Sequence, residues 1–288
     1  LPSAVEERWA EAWGIDVVAA ARGAMGHRPP LDLSLRDPAA TDEWAERFDG
    51  ISLAPGHVRL PAESDVPALP GYAEGQWWVQ DLAASIPARL LGAGDGRSVL
   101  DLCAAPGGKT MQLAAAGWRV TSVDQSQRRL ERMQTNLART GVEASVLRAD
   151  LTQWEPAEPA DAILLDAPCS ATGIFRRHPD VLHRIGPRQI AEMAEIQTAL
   201  LDRAVNWLKP GGTLVYATCS LEPEEGEAQI ESLLARHPHM QPRAIDQASL
   251  PAGLLPDAHS LRILPGLLAD AGGLDGFFIA SLSRSESV

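Results

Sequence analysis

"VLDLCAAPGGKT", residues 99–110, is the stretch that decides the fold. Val99, Leu100 and Leu102 surround a single acid, Asp101, as in a buried strand. Pro106, Gly107 and Gly108 then force a turn, and Lys109 opens a helix. Strand, glycine turn and helix form the opening unit of nucleotide-binding α/β sheets. A phosphate-binding loop would need glycine at position 103, where Cys103 stands. The dinucleotide fingerprint Gly-x-Gly-x-x-Gly also fails, because Cys103 to Gly108 reads Cys-Ala-Ala-Pro-Gly-Gly. S-adenosylmethionine fits better. It carries no phosphate, its backbone approach is eased by Gly107 and Gly108, and its ammonium would be expected at Asp101.

Outward from this stretch the pattern repeats. "RVTSVD" is a strand ending in Asp124, about twenty residues on, where a carboxylate accepts ribose hydroxyls. "ASVLRAD" is a third strand, with Asp150 expected at an adenine edge. "QSQRRLERMQTNLARTG" lies between them as a helix stopped by Gly141, and "AILLDAP" and "GTLVYATC" are further strands. A long helix is expected from Pro187 to Leu208, with Ile190, Met193, Ile196, Leu200 and Leu201 turned inward. Alternating strands and helices predict an α/β fold with a parallel sheet covered on both faces. The tail is expected to add a two-stranded hairpin.

Before residue 70 the period is weaker. Residues 4–25 read as one helix, 31–37 and 57–60 as strands, and 61–75, with three prolines, as a linker. A helix is expected to start at Trp77. This divides the chain into a small α+β domain, 1–70, expected to bind RNA, and a catalytic domain, 71–288.

Two strands end in thiols, Cys169 and Cys219, fifty positions apart. Cys103 alone reads as a small buried hydrophobe. No Cys-x-x-Cys pair or adjacent histidine set completes a zinc site, so no metal is expected. A methyl donor suggests another use for the thiols. Cytosine C5 becomes nucleophilic only after a thiolate adds to C6, and a second cysteine can assist release. Asp166, before the first thiol, is placed to stabilise charge at N3 and the exocyclic amine.

With 45% hydrophobic and 22% charged residues, the composition is that of a globular protein. The net charge of −13 argues against a generic polyanion binder. Basic residues are nevertheless clustered. Arg128, Arg129, Arg132 and Arg139 share one segment, and Arg176, Arg177 and His178 follow the first thiol and are expected at RNA phosphates. The only lysines are Lys109 and Lys209. No apolar run approaches the ~20 residues of a membrane span. A cytoplasmic monomer without membrane contact is expected.

Five motifs, "DLCAAPGGKT", "DAPCSATGIFRRHPD", "ATCSLEPEEGE", "GQWWVQD" and "DGFFIASL", together resemble the bacterial Sun/Fmu family of RNA cytosine-5 methyltransferases. The resemblance runs from about Gly71 to the end. It implies a class I (Rossmann-like) methyltransferase fold, S-adenosylmethionine as cofactor and RNA, 16S ribosomal RNA first, as substrate. It implies Cys219 as nucleophile, Cys169 as the residue aiding release, and Lys109 and Asp166 beside them. The cofactor segment carries over as Cys103, Ala104, Ala105, Pro106, Gly107, Gly108 and Lys109, with Asp124, Asp150 and Asp166. Full-length ribosomal members also carry an upstream helical domain resembling the antitermination factor NusB, which this chain is expected to lack. Gly226 stands where the family commonly has Asn. The alternatives are transfer RNA as substrate, or a catalytically silent RNA-binding protein on this fold. An amino-group methyltransferase would want an Asn/Asp-Pro-Pro-aromatic motif instead of Asp166-Ala-Pro-Cys169.

Overall fold

The computed structural model describes residues 1–286. The chain begins with helices α1 (Ser3–Trp13) and α2 (Ile15–Ala24), then β1 (Leu31–Leu35), α3 (Thr41–Arg47), β2 (His57–Leu60), β3 (Trp77–Val79) and α4 (Leu82–Arg89). Next come β4 (Ser98–Leu102), α5 (Gly108–Ala115), β5 (Arg119–Asp124), α6 (Gln127–Thr140), β6 (Ser145–Arg148) and β7 (Ala160–Asp166). The rest is α7 (Val181–Arg184), α8 (Pro187–Asn206), β8 (Leu208–Thr218), α9 (Glu227–Arg236), β9 (Met240–Pro242), β10 (Ser260–Ile263) and β11 (Phe277–Arg284).

Alternation along the strands builds two cores. In β8, Val215 and Ala217 face α4 and α5, while Leu214 and Tyr216 face α8 and α9. Both faces are therefore apolar, as a sheet covered on both sides requires. The large sheet runs β10-β11-β8-β7-β4-β5-β6, with β9 paired to β11. Strands β8, β7, β4, β5 and β6 are parallel, and β11 enters antiparallel between β8 and β10. The expected terminal hairpin is thus part of the main sheet. Because β4 is flanked by β5 and β7, the strand order reverses there. The crevice at its carboxyl end is where such sheets bind ligands.

The N-terminal part departs from the expectation in three ways. Gly14, at φ +89°, breaks residues 3–24 into two helices instead of one. Trp77–Val79 is a strand that pairs with β1, so the small antiparallel sheet β2-β1-β3 takes its third strand from beyond residue 70, and the helix begins only at Leu82. Val79 is consequently exposed. Finally, α1 and α2 do not pack with that sheet. Val5, Trp9, Val18 and Ala21 form a core with Phe175, Val181, Leu182 and Leu221 of the catalytic part. The division expected at residue 70 therefore cuts through one sheet and separates α1 from its packing partners.

On α8 the buried face is Ile190, Gln197, Leu200, Leu201, Ala204 and Val205. Met193 is half-buried and Ile196 is 40% exposed, against expectation. Both border the cleft described next.

Candidate active site

The turn after β4 carries Cys103 at φ +62° and Gly107 at φ +102°. Only glycine suits position 107. A Cβ there would take up a strained backbone and sit 2.8 Å from Met133 Cγ. The turn and the strand ends enclose a cleft of about 630 Å³ lined by Cys103, Asp124, Asp150, Asp166, Cys169 and Cys219, among others. The ends of four strands, β5 to β8, thus deliver Asp124, Asp150, Asp166 and both thiols to one hollow, and the turn after β4 adds Cys103.

Asp124 accepts hydrogen bonds from the amides of Ala105 (3.1 Å) and Ser126 (2.9 Å), and Arg129 lies 3.4 Å away. These bonds fix the carboxylate and tie β5 to the glycine turn. Asp150 is exposed, beyond the end of β6. It accepts from the amide and hydroxyl of Thr152, which hold its carboxyl below the usual range. Asp101 lies differently. It is fully buried, absent from the cleft wall, and accepts from Thr110 Oγ1 at 2.5 Å. Burial pushes its carboxyl up to about 7, and its second oxygen has no partner. The expectation that Asp101 meets the ligand's ammonium is corrected: packing seals it under α5.

Lys109 and Asp166 form an ion pair at 2.7 Å, with Phe277 5.6 Å from the ammonium. Burial opposes the lysine's charge, but Asp166, with smaller contributions from Asp101 and Cys219, raises it above the ordinary lysine range. Asp166 is 30% exposed, and only one of its oxygens is engaged by Lys109. The two thiols stand beside this pair with Sγ–Sγ 3.5 Å, both reduced. The hydrogen bond with Cys219 and burial push the Cys169 thiol well up. Among the described residues no cluster of His, Cys, Asp and Glu could hold a metal. None of their helices is long and apolar enough to cross a membrane.

Arg176 and Arg177 were expected at phosphates, but the structure engages both. Their guanidinium groups clamp Asp81, the cap of α4, and Asp275, before β11, at 2.8–3.2 Å. Arg176 is only 7% exposed. His178 is exposed. In the first arginine cluster, Arg129 bonds the Ala105 carbonyl and Arg139 the carbonyls of Tyr72 and Trp77. Arg128 and Arg132 are exposed and make no ion pair or hydrogen bond among the described residues.

Sequence reasoning passed over Glu225. In "EPEEGE" it looks like a solvated turn acid, yet it is fully buried. It accepts from the Ser170 amide (2.8 Å), Gln197 Nε2 (3.0 Å) and the hydroxyls of Ser170 and Ser220. Helix α1 braces the same loop: Arg8 and Trp9 bond Glu222, and Trp13 bonds the Leu221 carbonyl. At Gly226 a Cβ would collide with Arg262 and Phe278. Arg262 instead bonds the Ser220 carbonyl at 2.5 Å.

The sequence profile described as 16S rRNA methyltransferase RsmB/F matches residues 88–283. The chain belongs to that family. It is 42% identical to ribosomal RNA small subunit methyltransferase B of Klebsiella pneumoniae, over 98% of this chain and 65% of that protein. The Salmonella arizonae protein of the same name is 43% identical over 91% of this chain and 61% of its own length. The chain therefore spans less than two thirds of these relatives. A methyltransferase homologue from Pyrococcus horikoshii has the same fold at a TM-score of 0.79 and 26% identity, covering 96% of this chain and 93% of its own. The fold is that of the Rossmann-like S-adenosylmethionine-dependent methyltransferases, and S-adenosylmethionine is the cofactor. The cleft suits it. Asp124, Asp150 and Asp166 line the hollow against one cation, Arg129, which lies beside Asp124, and Asp166 also neutralises the adjacent buried Lys109. That set favours a cationic ligand with hydroxyls over a pyrophosphate.

Proposed function

We propose that this chain transfers a methyl group from S-adenosylmethionine to C5 of a cytosine in RNA, with 16S ribosomal RNA as substrate, through covalent addition of Cys219. The observation that carries the reading is the pair of reduced thiols 3.5 Å apart at the ends of β7 and β8, beside Lys109 and Asp166. Asp124 would hold the ribose hydroxyls and Asp150 the adenine edge; of the segment 103–109 only Cys103 lines this cleft, while Ala104, Ala105, Pro106, Gly108 and Lys109 line the neighbouring hollow that shares Asp166. The bound cofactor supplies the methyl group.

Cys219 adds as its thiolate to C6, and the electron pair moves into the ring to make C5 nucleophilic. Lys109 is the cation offered to the negative charge that builds on the ring, and Asp166, with its free oxygen, can accept from the exocyclic amine. After C5 takes the methyl group, a base such as water takes the C5 proton, the C5–H electron pair re-forms the C5–C6 double bond, and the C6–S bond breaks to return the Cys219 thiolate. Cys169, 3.5 Å from the Cys219 sulfur, is the residue offered for assisting release. The cytosine must be out of any stack to enter the cleft. Arg128 and Arg132, with exposed His178, are the groups offered for phosphates.

Labelled RNA on denaturing gels tests the assignment. Cys169→Ala should accumulate a protein–RNA complex, and Cys219→Ala should show neither complex nor product. A complex from Cys219→Ala that Cys169→Ala cannot form would reverse the two roles. Methyl transfer surviving both changes would end the covalent reading.

A further inference from the structure

We infer that Glu225 is a positioning residue that sets the spacing of the two thiols, an inference that rests on the covalent reading above. Ser170 follows Cys169 and Ser220 follows Cys219, and both serine hydroxyls converge on one Glu225 oxygen. The other oxygen takes the Ser170 amide and Gln197 Nε2. Gln197 also donates to the Pro168 carbonyl at 2.9 Å, just before the first thiol. The backbone of Glu225 is itself anchored to β8, since its carbonyl accepts from Tyr216 and Thr218. One buried carboxylate therefore joins the residue after each thiol and is tied to the strand that carries the second.

A buried acid is a poor device for stability alone. Removing a carboxylate from water is costly, and well-packed apolar groups of similar volume usually serve as well or better. What the acid supplies is direction: four donors from three segments must aim at two oxygens. Glu225 lies outside the cleft wall and bonds neither sulfur; its charge adds a smaller contribution to the rise of the Cys169 thiol, and its hydrogen bonds act through the loops they join. Among the described residues the other links between those loops include the thiol–thiol hydrogen bond itself, a bond from the Gly173 amide to the Cys219 carbonyl, one from the Leu221 amide to Thr172 Oγ1, and hydroxyl contacts. They hold the backbones beside the thiols, while only Glu225 gathers Ser170 and Ser220 from a common centre.

The test separates spacing from chemistry. Phenylarsine oxide condenses with two neighbouring thiols, forming two As–S bonds and releasing water, and its affinity reports their spacing without RNA. Glu225→Ala should lose at least about tenfold in arsenical affinity and about 100-fold in kcat, the scale of a roughly 1 Å misplacement. KM for RNA and the Kd for S-adenosylmethionine should stay within about threefold. Glu225→Gln keeps the volume and one acceptor and should fall between the wild type and alanine in both readings. If the alanine variant does not fold, the glutamine variant decides by the same two readings. Unchanged arsenical affinity in a folded variant would overturn the inference, whatever the activity. Methyl transfer by Cys219→Ala would instead sink the covalent reading and leave the spacing measurement standing.

Discussion

Replacing Asp101 by Asn should stabilise the protein more as pH rises. Asp101 is fully buried, its carboxyl is raised from 3.8 to about 7, and burial is the largest cause. Between those values the folded chain holds a proton that the unfolded chain has lost, so stability falls with rising pH until it levels above 7. The stability associated with this group is fully present below about pH 4 and lost by about pH 8. Three units at about 1.4 kcal/mol each make roughly 4 kcal/mol the ceiling. Linkage places about 3 kcal/mol of it between pH 5 and pH 8. Asn keeps an acceptor for Thr110 and removes the charge. The difference in unfolding free energy between Asp101→Asn and wild type should therefore grow by up to about 3 kcal/mol across that interval, or several degrees in Tm. Denaturant unfolding at pH 5, 6, 7 and 8 measures it. A difference that stays flat would refute the buried-carboxyl reasoning. Cofactor affinity in the same variant should change by less than about threefold, because Asp101 does not line the cleft. A loss of 100-fold would restore the ammonium contact expected from sequence.

Two other changes bear on the site. Asp124→Ala should weaken S-adenosylmethionine by about 1–3 kcal/mol by calorimetry, with the loss of a carboxylate that also holds the Ala105 amide; unchanged affinity removes Asp124 from the site. Arg176→Ala should cost about 3–5 kcal/mol of stability, because it strips a cation from the Asp81–Asp275 cluster. The salt dependence of RNA binding should not change. A shallower salt slope with an unchanged unfolding midpoint would return Arg176 to the phosphates.

The central strands and helices were legible because their signals are local. The glycine turn, the acids closing successive strands and the apolar alternation of β4, β7 and β8 need no distant partner to be read. The same locality exposed the thiols, since each ends an apolar strand. Tertiary structure decided whatever depends on which charges meet. Arg176 and Arg177 look like surface cations until Asp81 and Asp275, about a hundred residues away in either direction, close around them. Glu225 looks like a turn acid until two serines and a glutamine from other elements satisfy it. Asp101 reads as a ligand group until α5 covers it. Sequence carries the residue types that chemistry requires, but an ionisable side chain takes its role from burial and partners. Those are set only when the chain closes on itself.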